Sequence, residues 1–502
     1  MLLYFSEFFR RGDLMKRKKF LPLILISLIV FPMLIFGLSK SSIVTHYKTM
    51  SEVKSKFQDL LYKYDDFDDE LPVEDCIYVE LEDNISYIDK DLALEDIEYL
   101  FSLLKYGYAG YEFFGGDEKF TRARRNMIWS LREEYGEEVP VDRFLEIICT
   151  ELRFIQDAHF LIEDHKMCDY SKYFSSRKYD FRRDGNGYYT IIDDKKHYLI
   201  KVNNESPDSY MKLTLDEDGK LVYNLGILSD TENVCVPLVL LLESENNITK
   251  EKISLFEYIP YYKEKNKSYN YYEIDGIPVL EVNSFCRMCP EDESIEEFIR
   301  DSRSLRNKEN LIIDLRNNTG GSTINIDHWY RGFTGKRLQK DIIESGLYTD
   351  TSVTLTRNKF ENKENEKEAV IEQCLEVISS YEEKRYFPGW SPIEYNDFKP
   401  VENNVNIYIL VDKSTASAAE FFAYYLRKLD NVLIVGTNTN GCTLTGNCST
   451  AYLPNSQIKL HLTHKIYMNK DLENTDGIGL LPDLWVKPCM ALDRVIKYIK
   501  NK

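Results

Sequence analysis

The chain has 502 residues, 43% hydrophobic and 13% aromatic, enough for a large core and too apolar for wholesale disorder. Acidic side chains outnumber basic ones by 83 to 64, and the net charge of −19 argues against a nucleic-acid partner held on a basic face. The 10 cysteines are too sparse for a disulfide scaffold in a chain of this length.

In chain order, the first predicted element is a membrane span. "MKRKK" at residues 15–19 precedes an uncharged apolar stretch of 19 residues at 20–38. That length suits a bilayer crossing. It exceeds the roughly 7–15 apolar residues of a cleavable signal, and the "SKSSIV" that follows is a poor cleavage site. The basic cluster lies ahead of the span, so the positive-inside rule places the bulk of the chain outside the cytoplasm. The expectation is a single-pass anchor in the cell membrane at 1–40, followed by a solvated stalk at 41–90 with the acidic run "YDDFDDE" at 64–70.

Residues 91–170 read as a helical region. Phe144, Ile147, Ile148, Leu152 and Ile155 recur at helical spacing, and the Gly- and aromatic-rich stretch at 105–120 separates two helices. Residues 171–268 read as a small β-rich domain with the runs "YYTII", "HYLIKV", "KLVYNLGIL", "VCVPLVLLL" and "KISLFEYI". From 269 to 502 the runs "IPVLEVNSF", "NLIIDL", "VNIYILV" and "NVLIVG" alternate with helical patterns, which predicts an α/β core with a partly parallel sheet. "CRMC" at 286–289 has redox or zinc spacing but no second pair, so a structural role is expected. An insertion at 358–404 starts as a solvated helix and ends in a Pro- and Tyr-bearing loop expected to border a site.

Two segments carry chemistry. In "LVDKSTASAAEFFAYYLRK" at 410–428, Ser417 follows a buried strand and precedes an amphipathic helix on which Ala418, Phe422, Tyr425, Leu426 and Leu429 share a face. A helix N-terminus offers free N–H groups and a positive dipole end, which suits a nucleophilic oxygen and the oxyanion formed by its attack. The competing reading is a capping box, Ser417-x-x-Glu420, with no chemistry. In "NLIIDLRNNTGGS" at 310–322, Gly320 and Gly321 follow a strand and allow close backbone approach.

Together "DLRNNTGG", "TASAAE" and "GLLPD" at 479–483 resemble the carboxy-terminal-processing (tail-specific) and tricorn-type serine peptidases, with "YGYAGY" and "IQDAHF" similar to the N-terminal region of that family. The resemblance implies a ClpP/crotonase-like core, a polypeptide substrate and no metal or organic cofactor. It implies Ser417 as nucleophile, with an oxyanion hole from the N–H of Ala418 and that of Gly320 or Gly321. The best-known branch uses a lysine where this chain has Cys442. The tricorn branch uses a histidine and a carboxylate, which here fall on His159 and Asp476. An imidazole can take the hydroxyl proton near neutral pH, and a carboxylate can fix its tautomer. Asp157 competes as a local support for His159, and Lys465 is a reserve base. His461 and His464 lie on one predicted strand with opposite orientations. The alternative is a catalytically inactive peptide- or ligand-binding protein on the same scaffold. Nothing in the sequence sets the oligomeric state.

Overall fold

The computed structural model describes residues 49–76, 85–134, 136–245, 247–361, 388–397 and 399–502. The apolar run at 20–38 lies outside them, and among the described residues no helix is long and apolar enough to cross a membrane. The chain divides into residues 1–55 and residues 56–502. In the first unit the described residues enter a helix, Met50–Gln58. The second holds the fold.

Its centre is a sheet whose described strands run in the order Tyr269–Ile274, Ile277–Val282, Asn310–Asp314, Asn406–Val411, Val432–Gly436 and Leu484–Trp485. The first two form an antiparallel hairpin, and every later pairing is parallel. Parallel strands are buried on both faces and therefore read as unbroken apolar runs, which is why these strands are plain in the sequence. Register places Leu280, Ile313, Ile409 and Ile434 in one row. That face packs on the helices Ser294–Asp301, Thr323–Thr334 and Ala418–Leu426 through Phe298, Trp329 and Phe422. The alternate row, Val279, Ile312 and Tyr408, packs on the C-terminal helix Ala491–Lys500.

A second sheet joins Ile343–Gly346, Lys459–Met468, Leu161–Ile162 and His165–Lys166, with Thr445–Tyr452 also paired to Lys459–Met468. The expected boundary at 170 is thereby corrected: Leu161 and Ile162 pair with His461 and Leu460, so the end of the helical region is built into the core. That region contributes the helices Lys90–Gly107, Gly116–Glu134 and Val141–Glu151. Phe144, Ile148, Leu152 and Ile155 are fully buried, as their spacing predicts.

The stalk reading also needs correction over its described part. Tyr64 stacks on Phe67 and Tyr106, its hydroxyl donates to the Lys105 carbonyl, and Glu70 accepts the Thr351 N–H. The two rings dock the run on the fold while Asp65, Asp66, Asp68 and Asp69 stay exposed to water.

Residues 172–257 form the β-rich domain. Its sheet curls until Asn247–Glu257 meets Lys172–Asp184, with Phe256 opposite Ser175. The interior is apolar, from Phe174, Phe181, Leu240 and Leu255. Among the described residues, aromatic packing and a set of hydrogen bonds tie this barrel to the core. Tyr173 packs 4.3 Å from Trp485, centroid to centroid, beside Tyr258. Arg494 and Lys497 of the C-terminal helix donate to the carbonyls of Leu215 and Glu217, and the following turn passes so close that a β-carbon on Gly219 would lie 2.5 Å from the Tyr498 nitrogen.

Candidate active site

The loops that leave three adjacent parallel strands meet at the carboxyl edge of the sheet, where ligands bind in open α/β folds. Asp412, one residue past Asn406–Val411, accepts N–H groups from Asn317, Ser414 and Tyr261 at 3.0, 3.0 and 2.8 Å. Thr415 donates its hydroxyl to the Leu315 carbonyl, and Ala416 donates its N–H to the Asn318 carbonyl, both at 2.9 Å. The turn before Ser417 is thus stitched to the loop that bears the two glycines. Ser417 itself has φ 54° and ψ −120°, and the helix starts at Ala418.

The structure brings His159 to this serine from 258 positions away: Nε2 lies 3.1 Å from the Ser417 Oγ. His159 sits in a turn between the helix Val141–Glu151 and the strand Leu161–Ile162. With the proton on Nδ1, Nε2 can accept the serine proton. Burial pushes the imidazole below its ordinary range, the charge of Asp157 acts against that shift, and Lys359 reinforces it. The imidazole is therefore neutral, the form a base needs.

Asp476 does not reach the ring. Its Oδ2 accepts the Ala158 N–H at 3.0 Å, and its Oδ1 accepts those of Thr443 and Leu444 at 2.8 and 2.9 Å. The expectation that it fixes the imidazole tautomer is corrected: three backbone amides occupy the carboxylate, which pins the peptide before His159 to the 443–444 segment. Burial and the Asp157 carboxylate push its pKa up, while the amides pull it down. His159 Nδ1 is buried with no carboxylate on it, and the backbone of Thr445 is the hydrogen-bonding group beside the ring.

Of the expected oxyanion donors, Ala418 holds the first N–H of the helix, one that a helix leaves without an intrahelical acceptor. Gly320 approaches it so closely that an added β-carbon would lie 3.0 Å from the Ala418 nitrogen and 2.9 Å from the Ser417 Cβ. The Gly320 N–H, however, is taken by the Asn318 side chain at 2.8 Å. Gly321 bridges Phe285 through its neighbours' bonds, Phe285 N–H to Gly320 O and Ser322 N–H to Phe285 O, so its own N–H is not spent on that bridge.

Two buried ions hold the site together, and neither stands out by residue type. Glu420 accepts the Ser417 and Cys442 N–H groups on Oε2, and the Gly441 N–H and the Thr439 hydroxyl on Oε1. Its burial raises its pKa, and these donors oppose the rise. The capping-box reading and the nucleophile reading are thus compatible: the glutamate serves the cap while the hydroxyl faces the imidazole. Lys413 spends its ammonium on the carbonyls of Thr439, Asn440 and Gly477, at 3.0, 2.9 and 2.7 Å, and burial pushes it down to about 8. Cys442 lies in a small apolar cluster with Ala158, Cys168 and Ala416, between the serine and histidine turns, and burial raises its thiol pKa.

The remaining candidates lie elsewhere. Lys465 pairs with Glu344 at 2.9 Å, which removes it as a base. His461 lies 3.3 Å from the Thr450 hydroxyl, and His464, pushed down to about 4 by burial, lies 2.7 Å from the Gly107 carbonyl. A cavity of about 160 Å³ opens along the helix that Ser417 begins, lined by Phe421, Tyr424, Leu444, Tyr467, Met468 and Leu480.

Residues 276–486 match the family model described as Peptidase family S41. No curated protein matches the chain. Among solved structures it is similar to mature CPAF at 14% identity and TM-score 0.41, covering 82% of this chain and 95% of that one. It is similar to the photosystem II D1 C-terminal processing protease at 14% and 0.34, covering 80% and 93%, and to the tricorn protease at 12% and 0.35, covering 82% and 37%. At TM-scores below 0.5 these likenesses carry no weight beside the family match. On that match, residues 276–486 are a Peptidase family S41 domain, and the chain that carries it is a serine-type peptidase.

Proposed function

We propose that Ser417 attacks the carbonyl of a polypeptide substrate while His159 Nε2 takes the hydroxyl proton. The imidazolium returns that proton to the departing amine, and water then hydrolyses the acyl-enzyme by the same route. The N–H groups of Ala418 and Gly321 receive the oxyanion. The observation that carries this reading is the 3.1 Å contact between imidazole and hydroxyl at the start of a helix. The core that presents it is of the ClpP/crotonase kind. The cavity beside the same helix holds a volume comparable to a benzene ring. Ser417, Glu420, Phe421 and Tyr424 stand at i, i+3, i+4 and i+7, on one stripe, so the pocket lies down the face that the nucleophile heads. Its walls suit an apolar side chain next to the scissile bond.

The apolar run at 20–38 anchors the enzyme in the cell membrane with its catalytic part outside the cytoplasm. The basic flank supports that orientation, and cell fractionation with protease accessibility tests it.

The rival is an inactive binding protein on this scaffold, favoured by Cys442 at the position of the missing lysine. A fluorophosphonate probe separates the two. Wild type should label, Ser417→Ala should not, and His159→Gln should lower peptide hydrolysis by roughly 1,000-fold or more. Wild type that neither labels nor cleaves sinks the enzyme reading.

A further inference from the structure

With Asp476 occupied elsewhere, the imidazole lacks the carboxylate that a serine–histidine pair ordinarily needs. Asp157 stands two residues before His159 and is fully buried. Its Oδ1 accepts the His159 backbone N–H at 2.8 Å. Its Oδ2 accepts the hydroxyls of Tyr108 and Thr445, each at 2.7 Å. All three donors are neutral. They lower the cost of burying a charge without cancelling it, and His159 is the group on the same turn that can become positive.

We infer that Asp157, rather than Asp476, is the positioning carboxylate of this site, fixing the His159 turn and balancing the imidazolium that forms when Ser417 attacks. The inference rests on His159 being the base. Geometry supplies two parts of it. Binding the histidine's own N–H ties the carboxylate to the turn that aims the ring, and the Tyr108 and Thr445 hydroxyls tie that carboxylate to the helical region and the second sheet. The charges facing the imidazole oppose one another. Asp157 favours the imidazolium, whereas Lys359, from the helix Asp350–Glu361, disfavours it. Burial and then the charge of Asp157 push the Asp476 carboxyl up, and burial pushes the Cys448 thiol up while Lys359 opposes that rise. Asp157 is thus the carboxylate whose charge bears on the ring directly, and Asp476 serves the surrounding peptide.

The test compares Asp157→Asn with Asp476→Asn in the full chain, reading kcat/KM against pH. An asparagine keeps an acceptor for the His159 N–H, and the two hydroxyls can rotate to accept from its amide. Asp157→Asn is expected to lower kcat roughly 100-fold or more and to move the acid limb of the profile to lower pH, since the imidazole loses its countercharge. Asp476→Asn is expected to lower thermal stability and leave that limb in place. Tyr108→Phe, which strips one neutral donor from Asp157 and keeps its charge, is expected to move the limb the other way; it serves also if Asp157→Asn fails to fold. The inference is overturned if Asp476→Asn moves the limb and Asp157→Asn or Tyr108→Phe does not. Failure of the base reading looks different: His159→Gln would leave kcat untouched in a protein that still labels at Ser417.

Discussion

Ser417 holds φ at 54°, a region that a β-carbon disfavours by roughly 1–3 kcal/mol. The strain is sustained because the amide before it is fixed by Glu420 and because Gly320 has no side chain to collide with it. Gly320→Ala is therefore expected to displace the nucleophile and lower kcat about 100-fold, with circular dichroism unchanged and fluorophosphonate labelling slowed in parallel. At this scale the sequence was informative where a residue must be of one type. A hydroxyl after a strand, a histidine near the helical region and a glycine pair were all legible from "TASAAE", "IQDAHF" and "NTGG". The role of Asp476 was not, because a carboxylate among turn residues does not announce which donors it will meet. Spacing marks Asp157 as a local support for His159, but its weight depends on Tyr108 and Thr445, each remote in the chain.

Among elements, the loop 437–444 is held to the nucleophile turn by Glu420 and Lys413 as well as by the packing of Cys442 on Ala416. Lys413 shows the cost. Unfolded, a lysine keeps its proton to about 10.4; folded, this one releases it at about 8. Between those values the unfolded chain binds more protons than the fold, so this group makes the fold more stable as pH rises through that window. Lys413→Met is expected to flatten that rise in urea unfolding between about pH 8 and 10, and to lower activity because three carbonyls lose their donor. Most strands of the core and barrel were legible from apolar runs. Lys172–Asp184 and Met211–Leu215 were not, since the first is rich in charge and the second is five residues long. The buried lysine was invisible for a related reason: an isolated Lys in a polar turn reads as solvated until its acceptors are known.

For the whole molecule, the sequence reads a β-rich domain between a helical region and an α/β core, but local pattern does not show where the helical region ends. Leu161 and Ile162 find their partners some 300 residues later, a pairing that local pattern cannot reveal. The join between barrel and core is small: the C-terminal helix against the Asp216–Lys220 turn on one side, and Tyr173 against Trp485 on the other. Trp485 is 8% exposed, and its indole shares a small separate cluster with Tyr173 and Tyr258 of the barrel side. The junction thereby carries its own optical reporter. Crowding it with Gly219→Ala should let water reach that indole, red-shifting the fluorescence difference between otherwise matched proteins with Trp485 and with Trp485→Phe. The same signal, followed while a peptide substrate is mixed in, would time any swing of the barrel against turnover at Ser417.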